Sequence, residues 1–303
     1  MVDAILTEAG RFASEEVAPL GEIGDKQGAR LLDGHRVKSP DGWSELYRAW
    51  AEGGWSSLTG PEEFGGQGLP HMLLVATFEM WNSCAMAFAI GTLTIGAIEA
   101  LHAHASEDIQ RKYLNKMVSG EWMGSMNLTE PGAGSDLGVM KTRAERRPDG
   151  TYRIFGQKIF ITYGEHDFTD NIVHLVLARL PDAPAGSRGI SLFVVPKFLV
   201  NEDGSLGVRN DVHVHSLEHK LGIHGSPTCT MIYGDGKFGD EPGATGWLVG
   251  EENKGLACMF TMMNNARLMV GMQGVAIAEA ATQKAIACAR ERLQGRAPGW
   301  QGQ

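Results

Sequence analysis

The sequence predicts an α+β multidomain fold. An N-terminal α-helical bundle is expected over residues 1–122, a middle antiparallel β domain over 123–248, and the start of a C-terminal α-helical domain over 249–303. Three observations carry this. Apolar residues recur at helical steps as far as about Gly120, short β-rich runs bounded by Gly, Pro and Asp replace them after Met126, and the helical period returns from Gly255. With 303 residues, 43% hydrophobic and 21% charged, the chain can bury a substantial core.

In the first part Ile5, Ala9, Phe12 and Val17 recur at helical spacing, as do Leu46, Trp50 and Trp55. Gly21–Asp25, Ser39–Gly42 and Thr59–Pro70 read as loops between helices. Ala85–Leu101 is apolar enough to raise the question of a membrane span, but Thr92, Glu99 and its two glycines favour a buried core helix. Ser106 followed by Glu107 and Asp108 reads as the capped start of another helix.

In the middle part Tyr152–Phe155, Lys158–Thr162, Ile172–Leu177 and Ile190–Val195 read as strands, with Pro181–Arg188 and Asn201–Asp211 as loop-like insertions. The last part shows Leu256, Met259, Phe260, Met263, Leu268, Val275 and Ala278 on a helical period that ends near Arg292. No internal repeat is visible.

Composition removes several function classes. A formal charge of −9 offers no basic footprint for nucleic acid. Cys84, Cys229, Cys258 and Cys288 stand far apart, which suggests neither a zinc site nor a disulfide framework and fits a reducing cytoplasm. The N-terminus, with Asp3 and Glu8, reads as neither signal nor transit peptide. His213 and His215 would share a strand face near His219 and His224, but no carboxylate or cysteine completes a metal set, and none is assigned. A Gly-x-Ser-x-Gly elbow is absent, against a hydrolase.

The stretch with most chemistry is Met126–Asp136. Gly132 and Gly134 open backbone angles closed to other residues and let a ligand lie against the main chain, while Thr129 and Ser135 offer hydroxyls. Leu137 stands where a dinucleotide fingerprint needs glycine, and no lysine follows at P-loop spacing. By itself such a loop reads as a surface turn.

A second segment changes that reading. Leu128-Thr-Glu-Pro-Gly-Ala-Gly-Ser-Asp136 followed by Gly156-Gln-Lys-Ile-Phe-Ile-Thr-Tyr-Gly164 resembles the flavin-cradling middle domain of the acyl-CoA dehydrogenases. Pro61-Glu-Glu-Phe-Gly-Gly-Gln-Gly68, Glu218-His-Lys-Leu-Gly-Ile223, Leu248-Val-Gly-Glu-Glu-Asn-Lys-Gly255 and the Asn264–Gly274 helix extend the resemblance over nearly the whole chain. Gly164-Glu-His-Asp and Met262-Met-Asn-Asn-Ala-Arg267 resemble the large bacterial branch acting on fatty acyl-CoA or 3-methylthiopropanoyl-CoA.

The resemblance implies FAD as cofactor, an acyl-CoA substrate, electron-transfer flavoprotein as acceptor and a homo-oligomer. It implies that Met126, Leu128, Thr129, Gly134 and Ser135 contact the flavin, with Leu128 near the ring and Thr129 on its polar edge. It places Phe160, Ile161 and Thr162 on the other side of the ring, Phe160 standing where many relatives have Trp. Ser135, Asn264 and Arg267 would face the substrate, and Arg292, with Leu293 and Gln294, would reach the flavin pyrophosphate of a neighbouring subunit. The reaction implied is α,β-dehydrogenation of the acyl thioester. Its catalytic base is expected beyond Gln303; a minority of members place it at the position of Ala266, which cannot act. Two further readings are a flavin monooxygenase or nitroalkane oxidase on the same fold, and a catalytically incompetent fragment or partner subunit. With helices missing opposite it, Gly255–Arg292 is expected to leave an apolar face exposed.

Overall fold

The computed structural model describes residues 1–303 apart from 240, 294, 297 and 300–303, and apart from the side chain of Thr94. Helices α1 (Val2–Phe12) and α2 (Ala18–Gln27) run on through one π turn, Ala13–Val17. Helices α3 (Trp43–Glu52), α4 (His71–Ala89), α5 (Ile95–His104) and α6 (Glu107–Val118) complete the N-terminal bundle. On α3 the buried residues are Trp43, Leu46, Tyr47 and Trp50, an i, i+3, i+4, i+7 stripe that fixes which face points inward. They join Phe12, Phe78, Trp81 and Phe88 in one core, where each large side chain removed from water contributes about 2 kcal/mol. Helix α6 starts as the sequence predicts: Ser106 Oγ accepts the Ile109 N–H at 3.4 Å, with Glu107 and Asp108 in the first turn.

Three expectations for this bundle are corrected. Gly21–Asp25 lies inside α2 instead of forming a loop. Its glycines serve close approach: a Cβ on Gly21 would stand 2.6 Å from the Cys84 carbonyl oxygen, and one on Gly24 would overlap the Trp43 ring. Residues read as part of an all-helical stretch form a hairpin, β1 (Arg30–Leu32) and β2 (Arg36–Lys38). Asp33 and Gly34, with left-handed φ of 49° and 68°, lie at the centre of a turn closed by the His35 N–H on the Leu32 carbonyl, in a three-residue loop between the paired Leu32 and Arg36. Ala85–Leu101 is broken by Ala85 (φ −152°, ψ 83°) and by a 3₁₀ stretch, Ile90–Thr94. By length and composition His71–His104 could cross a bilayer, but 65% of its most apolar window is buried in this fold.

The β domain contains β3 (Met123–Asn127), β4 (Arg143–Arg146), β5 (Tyr152–Thr162), β6 (Ile172–Arg179), β7 (Ile190–Pro196), β8 (Phe198–Val200), β9 (Leu206–Arg209), β10 (Val212–Leu217), β11 (Thr228–Tyr233) and β12 (Ala244–Val249). The large sheet runs β10-β11-β5-β12-β7-β6-β3, and β4 bridges β5 to β6, so the path β5-β12-β7-β6-β4 closes on itself. Pairing is antiparallel except at β3–β6, parallel over five residue pairs, and at one β4–β6 pair. Every residue of β7 is buried, and β6 is buried up to Arg179, because core packs on both faces.

Asn201–Asp211, expected as a loop, carries β9, which pairs with β8. His213 and His215 do not share a face: a bulge between Val214 and Ser216 breaks the alternation, leaving His213 buried against Asp235 at 2.9 Å and His215 exposed. Helix α7 (Gly255–Glu291) packs on α4, α5 and β7 along its first half. Its exposed apolar residues include Leu268, Val275 and Ile286, the face that the sequence predicts.

Candidate functional site

Two cavities meet at Leu128 and Thr129. The first, about 280 Å³, lies where all three parts of the chain converge. Ile90 and Leu93 come from the 3₁₀ stretch, Met126, Leu128 and Thr129 from the end of β3 and its loop, Phe160, Ile161 and Thr162 from β5, and Met262, Ala266 and Val270 from α7. The second, about 400 Å³, is bounded by Leu128, Thr129, Gly134, Ser135, Phe260 and Arg267 among others. The residues singled out in the two motif segments are thus brought together, though 24 or more positions separate Ser135 from Phe160 in the chain.

Phe160 owes its place to a break in strand alternation. Tyr152, Ile154 and Lys158 point inward on alternate positions, and strict continuation would bury Phe160 too. Instead Phe160 takes a left-handed φ of 59°, and the register of β11 shifts opposite it between Cys229 and Met231. Ile161 turns inward and the Phe160 ring stands 58% exposed at the cavity. The sequence places the unusual backbone on Gly132 and Gly134. Neither has positive φ, and a Cβ would fit at both, so that expectation is corrected; Gly134 borders the second cavity.

The hydroxyls of Thr129, Ser135 and Thr162 have no hydrogen-bond partner among the described residues, so three donors and acceptors remain for a ligand. Arg267 lies over the Phe260 ring at 5.1 Å and donates to Asn264 Oδ1 at 3.1 Å. Asn264 is exposed and borders neither cavity, so it orients the arginine. Arg292 follows the end of α7, roughly 37 Å along the helix from Arg267 at 1.5 Å per residue, and borders neither cavity. Leu293 beside it is exposed, and Gln294 lies outside the described residues.

The frame under the site escaped the sequence reading. Lys158, fully buried, donates to Glu130 Oε1 and to the Leu128 carbonyl, both at 2.9 Å. Burial pushes the Lys158 ammonium down to about 8, against the pull of Glu130. Burial also works against the Glu130 charge, but Lys158 and the N–H groups of Lys141 and Thr142 outweigh it and hold the carboxyl below its ordinary value. A second buried chain runs from Tyr233 OH to Asn127 Oδ1 at 2.8 Å, from Asn127 Nδ2 to Ser125 Oγ at 2.9 Å, and from Ser125 Oγ to His174 Nδ1 at 2.6 Å. Burial drives His174 down to about 3, so it is neutral where it shares a proton with Ser125 Oγ. The signal for both was an ionisable residue on an inward position of an apolar strand, at Lys158 and at His174.

Among the described residues bordering the first cavity there is no carboxylate and no imidazole, and Ala266 forms part of its wall. The first cavity can therefore bind and orient without a carboxylate or imidazole to take a carbon-bound proton, while the second is bordered by one carboxylate, Asp136, whose Oδ1 accepts the Gly138 N–H at 2.8 Å.

Comparison with known families matches residues 2–121 to the acyl-CoA dehydrogenase N-terminal domain and residues 125–235 to the acyl-CoA dehydrogenase middle domain. The chain belongs to the acyl-CoA dehydrogenase family. Among sequence relatives of this family member, 3-methylmercaptopropionyl-CoA dehydrogenase of Ruegeria pomeroyi is 53% identical over 294 residues, which cover 97% of this chain and 48% of the relative. The chain thus spans about half the length of that relative. Among solved structures, an acyl-CoA dehydrogenase complexed with FAD from Bacillus anthracis superposes with a TM-score of 0.77 at 27% identity, covering 98% of this chain and 45% of that one. A chain solved in work on the electron transferring flavoprotein of Acidaminococcus fermentans gives 0.76 at 26%, covering 97% and 69%. Each superposes over 97% or more of this chain, which takes in its helical bundle, β domain and α7.

Proposed function

We propose that this chain forms the cofactor cradle and one side of the thioester pocket of an FAD-dependent acyl-CoA dehydrogenase of the fatty acyl-CoA or 3-methylthiopropanoyl-CoA type. The observation that carries it is the convergence of the unpartnered Thr129, Ser135 and Thr162 hydroxyls with an exposed Phe160 ring on two joined cavities, one apolar and one headed by Arg267.

FAD, when bound, supplies the two-electron oxidant for an α,β-dehydrogenation. The chain's own residues do the rest. Leu128 and Phe160 offer apolar surface to a planar ring, while Thr129 and Thr162 bond its polar edge. Ser135 and Arg267 suit an anionic ligand such as a coenzyme A phosphate, and Met262, Ala266 and Val270 give an acyl chain a dry wall. Electron-transfer flavoprotein as acceptor, a homo-oligomeric state with Arg292 reaching a neighbour's flavin, and a cytoplasmic location belong to the same proposal.

The second reading, a chain that binds without turning over, is favoured by one observation, the wall at Ala266 with no carboxylate or imidazole among the described residues of the first cavity. One experiment separates the two. FAD is added to the purified chain, excess is removed, and the visible spectrum is followed during anaerobic addition of butyryl-CoA and 3-methylthiopropanoyl-CoA. Retained yellow colour that shifts on thioester binding without bleaching supports the cradle with binding alone, and bleaching supports full dehydrogenation. A colourless chain that retains no flavin rejects both.

A further inference from the structure

Lys158 is 0% exposed, yet its Nζ makes two bonds of 2.9 Å, one to the carboxylate of Glu130 and one to the main-chain oxygen of Leu128. On the next residue the Ile159 N–H donates to the Thr129 carbonyl at 2.9 Å. Glu130 accepts in turn from the N–H groups of Lys141 at 2.6 Å and Thr142 at 3.0 Å, and closes a pair of backbone bonds with Ala133 at 2.9 and 3.1 Å. Three successive loop residues are therefore tied to two successive residues of β5. The first two of those loop residues are the ones that border both cavities.

A buried ammonium needs acceptors for the protons its ion-pair partner leaves free, and the Leu128 carbonyl supplies one. The bond to Leu128 has a geometric effect as well. With the carbonyl oxygens of Leu128 and Thr129 both held inward, the side chains of these residues are left facing the cavities.

We propose that Lys158 is a positioning residue, whose ammonium draws the Leu128 carbonyl into the protein and so sets Leu128 and the Thr129 hydroxyl at the cofactor ring. The proposal rests on the flavin reading of the site given above. The charged group facing Lys158 is Glu130; Lys141 meets that carboxylate through its backbone N–H, and Met231 stands opposite Lys158 on β11. Burial lowers the ammonium to about 8, so at pH 7 the tie to Leu128 is charge-assisted, and as the pH rises through that value it weakens to the bond of a neutral amine.

The test is an equilibrium titration of the purified chain with FAD at pH 7 and pH 9, read by flavin fluorescence and by the visible band, for wild type, Lys158→Met and Glu130→Gln. Wild type is expected to bind about tenfold more weakly at pH 9. Lys158→Met is expected to bind about tenfold more weakly at pH 7, with a displaced visible band and no further loss at pH 9, which separates the ammonium from the ionisation of free flavin. Glu130→Gln keeps an acceptor and is expected to retain most of the affinity at pH 7. A folded Lys158→Met that binds FAD with wild-type affinity and spectrum overturns the positioning role. Should that variant not fold, Lys158→Leu takes its place, and a folded Lys158→Leu with wild-type affinity and spectrum overturns the role equally. Absence of FAD uptake by wild type rejects the flavin reading, and this proposal with it.

Discussion

Asn265 Nδ2 donates to Glu99 Oε1 at 2.8 Å, the same oxygen that His71 Nε2 meets at 2.5 Å, so one carboxylate joins α7 and the start of α4 to α5. Because Glu99 keeps His71 and partial access to water, Asn265→Ala should cost only about 1 kcal/mol. A fall in melting temperature on the order of 2 °C is expected, and no change at all would show that the contact does not hold α7 in place.

Gly24 faces the buried Trp43 ring with no room for a methyl group. Gly24→Ala must displace either α2 or α3, an overpacking of about 1–3 kcal/mol despite the better helix propensity of alanine. Chemical denaturation measures it; a stabilised variant would contradict the packing.

Arg267 is exposed and serves no core, so Arg267→Ala should leave stability within about 0.5 kcal/mol of wild type. Its loss at the second cavity should weaken binding of coenzyme A about tenfold while leaving FAD affinity unaltered. Calorimetry with each ligand in turn distinguishes this from a general loosening of the site.

His166 and His174 are both buried and both lowered from 6.5 to about 3, chiefly by burial. The unfolded chain binds more protons than the folded one between these values, so stability rises with pH across the window and is lost as pH falls from about 6.5 toward 3. Each histidine contributes up to a few kcal/mol of this loss. His174→Asn should flatten the acid limb of a plot of melting temperature against pH, and an unchanged limb would remove His174 from the account.

Leu268, Val275 and Ile286 recur at seven and eleven residues and share one exposed face of α7. An uncovered stripe of this kind promotes association. The double variant Leu268→Lys, Val275→Lys should stay monomeric at concentrations where the parent chain scatters light, with its melting temperature held.

What the sequence showed was what is local. The α3 stripe from Trp43 to Trp50, the Ser106 cap and the long period of α7 each depend on neighbours a few positions away. The pair of motifs likewise foretold which residues would meet around the cavities. Misread features depended on distant partners: Gly21 and Gly24 look like punctuation until Cys84 and Trp43 are seen against them. Lys158 and Glu130 stand 28 positions apart, and nothing in either segment names the other. The left-handed turn at Phe160 overrides a period-two pattern that on its own would have sent the ring inward.

Strand β5 takes its partners from residues 143–146 before it and from 228–233 and 244–246 long after it. During synthesis, at about 5–20 residues per second, the 84 positions between Thr162 and Gly246 occupy roughly 4–17 s. Until β11 is made, from 66 positions after Thr162, the strand that carries Lys158 and Phe160 has β4 as its one antiparallel neighbour and an open edge, and β12 joins it last. The N-terminal helices can pack on the ribosome meanwhile, so the order of assembly is bundle first and floor of the cavity last, and the interval between them is the nascent chain's period of greatest exposure to chaperones and to mispairing.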